Sequence, residues 1–312
     1  MRRYFGVDAS GVGWAHAVNS RAELAAALND PTVHMLEADI LMCSKDLGPS
    51  RRKSSRFVLQ PIMCHPPAKD SDLTFDEFTR TVIASLRGGR KVGLKLDFKQ
   101  AECVAPCLDL LRARGFGQES SSSYSVNAGE FEDVPLWLNA DVVRGPGGRE
   151  PIDGPSFVST CVSTCPHATL SLGWTHTGTP LLGYTHAMAL EMKKLVAPLR
   201  CDVTLAASAA HLFASANPAR AVLIDDVVNG AGVGDARVGG SRDAPGRSFT
   251  LWGPAPGPVT RWIERELPPE ATYVDVKACN WKEEAVVRLY VYTRPAWATL
   301  HDARLWLFSR RR

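Results

Sequence analysis

The chain has 312 residues, of which 45% are hydrophobic and 22% charged, and its formal net charge is +3. This composition excludes a disordered or fibrous protein, and the charge is too small to indicate nucleic-acid binding. No apolar run approaches the ~20 residues that cross a bilayer. Because the N-terminus also lacks the apolar segment of a secretory signal, we expect no transmembrane segment and a cytoplasmic location.

Eight short segments have the apolar or alternating pattern of β-strands, and helical periodicity lies between them. The predicted strands are Val12–Ala17, Val33–Leu41, Val92–Phe98, Leu136–Ala140, Thr169–Gly173, Asp202–Ala206, Phe249–Trp252 and Thr272–Val276. The first helix is predicted from Ser20 to Leu28, with Glu23 at capping-box spacing. The other predicted helices are Leu73–Leu86, Ala101–Arg114, Gly154–Thr164, Tyr184–Leu199, Ala209–Ala216 and Pro258–Leu267.

Strands that alternate with helices predict an α/β protein with a parallel sheet. Eight such repeats fit a (β/α)₈ TIM barrel, which typically has ~250 residues. A doubly wound open sheet is the alternative. We predict a barrel over residues 1–276 and a C-terminal extension, residues 277–312, packed on it; its alternating run Ala285–Thr293 predicts an edge strand or hairpin.

Three segments interrupt the alternation and are predicted to be exposed, mobile insertions. They are Gly48–Arg56, Gln118–Asp133 and the glycine-rich Asn229–Arg247. The first is expected at the rim of the barrel mouth, where it is a candidate for attracting an anionic substrate or the surface of an acidic membrane. Its basic residues are Arg51, Arg52, Lys53 and Arg56.

The eight cysteines include no Cys-x-x-Cys pair. Cys103 with Cys107 and Cys161 with Cys165 are four residues apart within predicted helices, and no further zinc ligands lie at suitable spacing. We therefore expect buried free thiols, since a free cysteine behaves as a small hydrophobic residue.

Acidic side chains lie near the ends of two predicted strands. Glu37 and Asp39 are two residues apart, so they share one face of a strand, and Asp97 could add a third carboxylate. Oxygen ligands of this kind suit Mg²⁺ or Ca²⁺. The alternative is a salt-bridge network in which Glu37 and Asp39 pair with Lys95 and Lys99.

His16 and His65 each end a segment next to the carboxylate strand. An imidazole has an ordinary pKa of ~6.5, which suits both a general acid and a general base. Two histidines on either side of a bound phosphate could therefore share these roles. Most of the remaining histidines are predicted to be structural.

Several sequence blocks, in order and at compatible spacing, together resemble the menorin family. The blocks are His16–Ser20, Leu36–Ile40, Pro61–Pro67, Leu94–Lys99, Trp137–Val142 and Leu170–Thr175. This resemblance implies membership of the phospholipase-C-like phosphodiesterase superfamily. Its members are TIM barrels with a first-strand histidine, a Glu-x-Asp pair, a second histidine and an acidic residue near a lysine on the third strand.

The resemblance implies that Glu37, Asp39 and Asp97 hold Mg²⁺ or Ca²⁺, and that His16 and His65 are the catalytic acid and base. It also implies contacts with the substrate or its phosphate. The residues predicted for these contacts are Asn19, Lys95, Lys99, Asn139, Trp174 and Trp252.

The function expected from these features is hydrolysis of a phosphodiester in a small glycerophosphodiester or a lysophospholipid-like, lipid-derived substrate. A binding or scaffold protein that keeps the pocket without catalysis is the second interpretation. An aldolase is a third, but it would need a lysine on the sixth strand, and Asp202–Ala206 has none.

Overall fold

A computed structural model of the chain describes residues 1–49, 55–117, 130–176, 182–230 and 245–277. In these ranges nine strands form one sheet, with β3 paired antiparallel to β2 and the other eight parallel in the order β1, β2, β4, β5, β6, β7, β8, β9. The strands are β1 (Trp14–Ala15), β2 (Met35–Pro49), β3 (Ser55–Met63), β4 (Gly93–Phe98), β5 (Leu136–Arg144), β6 (Thr169–Thr175), β7 (Val203–Ser208), β8 (Arg247–Pro254) and β9 (Thr272–Lys277).

The eight parallel strands form a nearly closed barrel, because the two ends of the sheet approach each other. Asp275 on β9 contacts His16, which follows β1, with 2.9 Å between Oδ2 and Nδ1. The strand order also follows the chain without the reversal that defines a doubly wound sheet. The predicted α/β barrel is therefore confirmed, and the open sheet is excluded.

One helix precedes the first strand, and the others connect successive strands on the outside of the barrel. The helices are α1 (Arg2–Phe5), α2 (Arg21–Asn29), α3 (Phe75–Arg87), α4 (Val104–Ala113), α5 (Gly154–Thr164), α6 (His186–Val196), α7 (Ala209–Ala214), α8 (Asn217–Ala221) and α9 (Gly257–Glu266). The predicted start of α2 is confirmed, since the Ser20 side chain accepts a hydrogen bond from the Glu23 N–H. Within the described ranges, none of the helices is long and apolar enough to cross a membrane.

The strands separate apolar from polar side chains by their two faces. On β2, Leu36, Ala38 and Ile40 are fully buried in the hydrophobic core beneath the helices. The alternating residues Glu37 and Asp39 are also buried, but they belong to the other face. Because side chains of a strand alternate between faces, the barrel interior receives the charged residues and the outer layer receives the core.

An aromatic cluster lies at the amino-terminal end of the barrel interior; we call it the aromatic floor. The rings of Trp14 and Trp137 are 5.5 Å apart, and Tyr273 packs edge-on against Trp137 at 4.8 Å. Above this floor, the Lys95 ammonium lies 5.8 Å from the centre of the Trp14 ring, within the range of a cation–π interaction.

The largest departure from the sequence prediction is a hairpin. β2 continues past the predicted end at Leu41 and pairs with β3, from Ile40 opposite Met63 to Pro49 opposite Ser55. The prediction of Gly48–Arg56 as a loop is therefore wrong at both ends, and residues 50–54 lie outside the described ranges. An antiparallel ribbon needs no continuous apolar run, so its pattern differs from that of a barrel strand.

Strand β1 is shorter than predicted, because Ala17 adopts a left-handed conformation with φ of 57°. Three further elements were not predicted from the sequence: α1, α8 and a π-helical segment at Val222–Asn229. Residues 118–129 and 231–244 of the other two predicted insertions lie outside the described ranges. So do residues 278–312, including the predicted strand Ala285–Thr293, and the extension stays a prediction.

The helical cysteines have the environment expected from the sequence. Cys103, Cys107, Cys161 and Cys165 are buried and unbridged. Burial raises the pKa of the thiols of Cys103 and Cys165 to about 12. A thiol that stays protonated is a poor nucleophile and a poor metal ligand, so these four side chains belong to the core.

Gly13, immediately before β1, lies very close to the backbone of Thr32. A Cβ atom at this position would lie 2.1 Å from the backbone oxygen of Thr32, so Gly13→Ala requires the backbone to move. We expect the variant to lose about 1–3 kcal/mol in free energy of unfolding, as in overpacked sites.

The matched control is Gly11→Ala, whose Cβ would meet only Val7 at an ordinary 3.6 Å. Urea denaturation of both variants is the measurement. Equal stability of the two variants would contradict the close approach of Gly13 to Thr32.

Candidate active site

Three carboxylates meet inside the barrel at the carboxyl ends of two neighbouring strands. Asp39 on β2 is in register with Asp97 on β4, and Glu37 lies two residues before Asp39 on the same face. One ligand oxygen from each of these side chains lies within 4.8 Å of the other two. Glu37 and Asp39 are only 2% and 3% exposed, so this carboxylate cluster is largely shielded from water.

Two lysines compensate the charge of the cluster. The Lys99 ammonium lies 3.0 Å from Asp39 Oδ1 and 2.5 Å from Asp97 Oδ2. Lys95 is also buried and acts electrostatically on Glu37 and Asp97 from one layer deeper in the barrel. The salt-bridge network considered as an alternative is thus present for Lys99, in the same place as the convergence of carboxylates.

The pKa values follow this charge arrangement. Burial raises the pKa of Glu37, and the Lys95 ammonium only partly opposes it. Burial acts in the same direction on Asp97, but Lys99 and Lys95 outweigh it and lower the pKa of that carboxyl. Burial would lower the pKa of Lys99, yet the carboxylates of Asp97 and Asp39 raise it above its usual range, so this side chain stays charged.

The turn after β1 holds the two carboxylates of β2 in place. The Asn19 amide donates to Asp39 Oδ2 at 2.8 Å, and its oxygen accepts the Asp39 N–H at 2.9 Å. The left-handed Ala17 directs its N–H to Glu37 Oε2 at 2.8 Å. Asn19, predicted to bind phosphate, is therefore engaged in orienting a carboxylate.

His16 lies at the edge of this cluster, with its side chain 32% exposed. Its Nδ1 is 2.9 Å from Asp275 Oδ2 and 3.2 Å from Glu37 Oε2. Two carboxylates on one ring nitrogen fix the orientation of the imidazole. They also stabilise the imidazole when it carries a second proton.

His65 lies on an exposed segment that follows β3. The N–H of the preceding residue, Cys64, donates to the backbone oxygen of Asp39 at 2.8 Å, which holds this segment beside the carboxyl end of β2. In the described part of the chain, no hydrogen bond joins the His65 ring to the carboxylate cluster. The structure thus brings together most of the predicted polar residues and leaves His65 at the rim.

The neighbouring strand β5 contributes Asn139 and Asp141. Asn139 accepts a hydrogen bond from Ser171 Oγ at 2.6 Å and also hydrogen bonds to Asp97. Burial and the nearby Asp97 carboxylate raise the pKa of Asp141 to about 7, against the opposing effect of Lys99 and Lys95. Asp141 is therefore a carboxyl that can hold a proton near neutral pH.

The two tryptophans predicted to bind substrate have different surroundings. Trp252, near the end of β8, is partly exposed and packs against His176, with ring centres 4.5 Å apart. Trp174 is 1% exposed, and its indole N–H donates to the backbone oxygen of Met188 on α6. Trp174 therefore lies between the barrel and a helix, away from the carboxylate cluster.

Asp141 and Asp275 were not predicted as site residues from the sequence. Both are acidic residues near the carboxyl end of a predicted strand, the same signal that pointed to Glu37 and Asp39. The pairing of Asp275 with His16 joins residues 259 positions apart, so only closure of the barrel brings them together.

A cavity of about 530 Å³ opens at the opposite, amino-terminal end of the barrel. Its lining mixes basic and acidic side chains, including Lys91, Arg247, Asp202 and Glu270. It also includes Trp137 and Tyr273 of the aromatic floor, which separates it from the carboxylate cluster. We place the candidate active site at the carboxyl ends of the strands, where the chemistry-bearing groups converge.

The donor set of the cluster fits a hard divalent cation. All three candidate ligands are carboxylates, and oxygen ligands are those that Mg²⁺ and Ca²⁺ prefer. Asp141 and Asp275 bring the carboxyl groups near the mouth to five in the described part of the chain, against the two ammonium groups of Lys95 and Lys99. This excess of acidic groups favours binding of a cation.

Comparison with known proteins supports the resemblance to menorins that the sequence blocks indicated. The model of the Menorin N-terminal domain family matches residues 8–231. The chain belongs to the menorin family. It is similar to human Protein FAM151B, with 35% identity over 207 residues, which cover 65% of this chain and 64% of the relative. The chain thus matches less than two thirds of the length of this curated relative, and no solved structure matches it.

The menorin match contains most of the candidate site. It spans β1 to β7 and therefore includes His16, the carboxylate cluster and Asp141. Trp252 and Asp275 lie beyond it, on the last two strands. The resemblance to menorins found in the sequence is confirmed.

The raised pKa of Asp141 predicts a pH-dependent stability. Between its ordinary pKa of ~4 and about 7, the folded chain keeps a proton that the unfolded chain has released, so this group lowers stability as pH rises. Asp141→Asn removes that titration. In buffer with EDTA, we expect its free energy of unfolding relative to the unsubstituted chain to increase by about 1–3 kcal/mol from pH 5 to pH 8.

Urea denaturation at the two pH values measures this difference. Asp109→Asn, an exposed substitution on α4, is the control and should show no such change. An Asp141→Asn difference that is the same at both pH values would contradict the assignment.

Proposed function

We propose that this menorin-family chain is a divalent-cation-dependent phosphodiesterase of the phospholipase-C-like type. Its substrate class is a glycerophosphodiester or a lysophospholipid-like phosphodiester. The observation that carries the proposal is the convergence of Glu37, Asp39 and Asp97 within 4.8 Å, beside Lys99 and His16.

A phosphodiester is an anion that reacts through a transition state with more charge on its oxygens. Glu37, Asp39 and Asp97 would hold the Mg²⁺ or Ca²⁺. When bound, such a cation polarises a phosphoryl oxygen and stabilises the developing charge. Without a cation, the carboxylates outnumber the ammonium groups of Lys95 and Lys99 and would repel the anionic substrate, so the proposal requires the metal.

The chain's own residues supply the remaining functions. His16, held through Nδ1 by Asp275, exchanges a proton with the attacking hydroxyl or water, or with the leaving oxygen. His65 at the rim takes the complementary role. Lys99 keeps a positive charge beside the site and is suited to bind a phosphate oxygen. Asn19 holds the Asp39 carboxylate in its orientation.

The proposal is tested by incubating the purified chain with a panel of glycerophosphodiesters and lysophospholipids, with Mg²⁺ or Ca²⁺ and with EDTA. We expect turnover that EDTA abolishes. His16→Ala and His65→Ala should each lower the rate by about 10²–10⁴-fold, the usual contribution of a positioned acid or base.

His167→Ala is the matched control, because His167 lines the cavity at the opposite end of the barrel. Circular dichroism establishes that each variant is folded. Near-normal turnover by either active-site variant would exclude the two-histidine mechanism. Absence of turnover on the whole panel, with calorimetric binding of Mg²⁺ or Ca²⁺ retained, would favour the binding or scaffold protein instead.

Asp275 provides a separate prediction about positioning. Asp275→Ala removes the carboxylate that orients His16, and we expect kcat to fall about 10- to 100-fold, as for other groups that orient a reacting side chain. KM should change little, because Asp275 makes no substrate contact in this mechanism. Steady-state kinetics separates the two constants, and Asp275→Glu should recover part of kcat. A rise in KM that accounts for the whole loss would contradict the positioning role.

Two expectations from the sequence stay predictions. Cytoplasmic location would be tested by fractionating cells that express the tagged full chain. Peripheral membrane contact by the basic residues Arg51, Arg52, Lys53 and Arg56 would be tested by sedimentation with anionic vesicles. Their side chains lie outside what the structure describes.

A further inference from the structure

The Lys99 ammonium occupies part of the carboxylate cluster. It lies 3.0 Å from Asp39 Oδ1 and 2.5 Å from Asp97 Oδ2, so it bridges two of the three carboxylates that would hold the cation. A bound Ca²⁺ lies ~2.3–2.6 Å from its oxygen ligands. A cation on Asp97 Oδ2 would therefore lie within ~5 Å of the ammonium, and positive charges this close repel strongly where water is largely excluded.

The carboxylates of β2 are also held by neutral donors. The Asn19 amide donates to Asp39 Oδ2, and the Ala17 N–H donates to Glu37 Oε2. A neutral donor can keep its hydrogen bond while the carboxylate binds a metal ion, which is the common arrangement around metal ligands. Lys99 differs from these donors because its charge has the same sign as that of the metal. It is therefore the partner that a bound cation would displace.

Lys99 combines a fixed backbone with a side chain that can turn. It directly follows β4, and its N–H donates to the backbone oxygen of Ile40 at 3.0 Å. Its side chain is 21% exposed and so reaches the opening of the barrel. Lysine carries its charge on a flexible four-carbon stem. The ammonium can therefore leave the two carboxylates without any movement of the strand that presents it.

The other lysine of the site, Lys95, is held more tightly. It is 3% exposed, and its ammonium lies over the ring of Trp14 in the aromatic floor. It acts electrostatically on Glu37 and Asp97, but within the described ranges no hydrogen bond or ion pair joins it to the cluster. Of the two lysines, Lys99 is thus the one that shares its oxygen partners with a metal ion.

We propose that Lys99 is an internal competitor of the divalent cation, and that its ammonium and the metal ion alternate on Asp39 and Asp97. Binding of a cation turns the Lys99 side chain out into the mouth, where its charge is available to an anionic phosphate. Release of the cation returns the ammonium to the carboxylates. The inference rests on the proposed function only in taking the carboxylate cluster as the cation site, and it makes Lys99 the residue that sets the affinity of this site.

The first test measures cation affinity by calorimetric titration with Mg²⁺ and, separately, with Ca²⁺. We expect Lys99→Met to bind either cation about 10- to 100-fold more tightly than the unsubstituted chain, because the metal no longer displaces charged hydrogen bonds. Lys95→Met is the matched control, since it removes an equal charge that acts on the same carboxylates without bonding to them. Its gain in affinity should be about tenfold smaller. Circular dichroism establishes that both variants are folded.

The second test uses the unsubstituted chain, so it does not depend on the folding of a variant. Brief acetylation with acetic anhydride, with and without saturating Ca²⁺, is followed by mass spectrometry of the peptide that contains Lys99. Asp97 and Asp39 raise the pKa of this amine, so its release should increase acetylation by at least about 10-fold, the effect of one pKa unit. Lys193, paired with Asp226 on the outer surface, is the internal control and should not change.

Neither readout uses turnover, so the result is separate from that of the hydrolysis assay. Equal gains in affinity for Lys99→Met and Lys95→Met, or acetylation of Lys99 that bound Ca²⁺ does not increase, would overturn the proposal. Cation binding by Lys99→Met but not by the unsubstituted chain would support the competition and would overturn the metal-dependent mechanism. Cation binding by neither chain would overturn both.

Discussion

The mouth of this barrel depends on holding several carboxyl groups close together in a space that water reaches poorly. Like charges repel strongly there, and burial alone favours the protonated form of each. Lys99, bonded to Asp39 and Asp97, supplies the compensating charge directly, and Lys95 supplies it from below. The result is a difference within the mouth: the pKa of Asp97, beside Lys99, is lowered, whereas that of Asp141 on the next strand is raised to about 7.

Elementary strand geometry converts this charge balance into a site. Because side chains alternate, the core residues Leu36, Ala38 and Ile40 and the carboxylates of Glu37 and Asp39 occupy the same five-residue segment of β2 without interfering. Parallel register then brings Asp39 beside Asp97, and barrel closure brings Asp275 to His16. Stability and chemistry are thus assigned to opposite faces of the same strands, so a substitution that alters one need not alter the other.

Local patterns predicted the barrel, most of its elements and the carboxylates on β2 and β4, because alternation and residue type are properties of short segments. Other features depend on long-range geometry. The residues around Asp275 do not indicate that His16 is its partner. The apolar run of β6 also does not show which of its alternating residues face the barrel interior. Trp174 was therefore expected at the mouth, whereas Ser171 and Gly173 face inward and Trp174 packs under α6. The hairpin of β2 and β3 was not predicted for a related reason. Its strands pair outside the barrel, so their sequence has no strong apolar pattern.

The aromatic floor determines how a small molecule can enter and leave the barrel interior. Trp14, Trp137 and Tyr273 pack against one another across the amino-terminal end, as expected for a barrel whose interior is a packed core and not a pore. Whatever enters at the carboxyl ends of the strands has to leave by the same opening. Product leaving the pocket and substrate entering it would then use the same opening. A reaction at this site would therefore slow as its products accumulate.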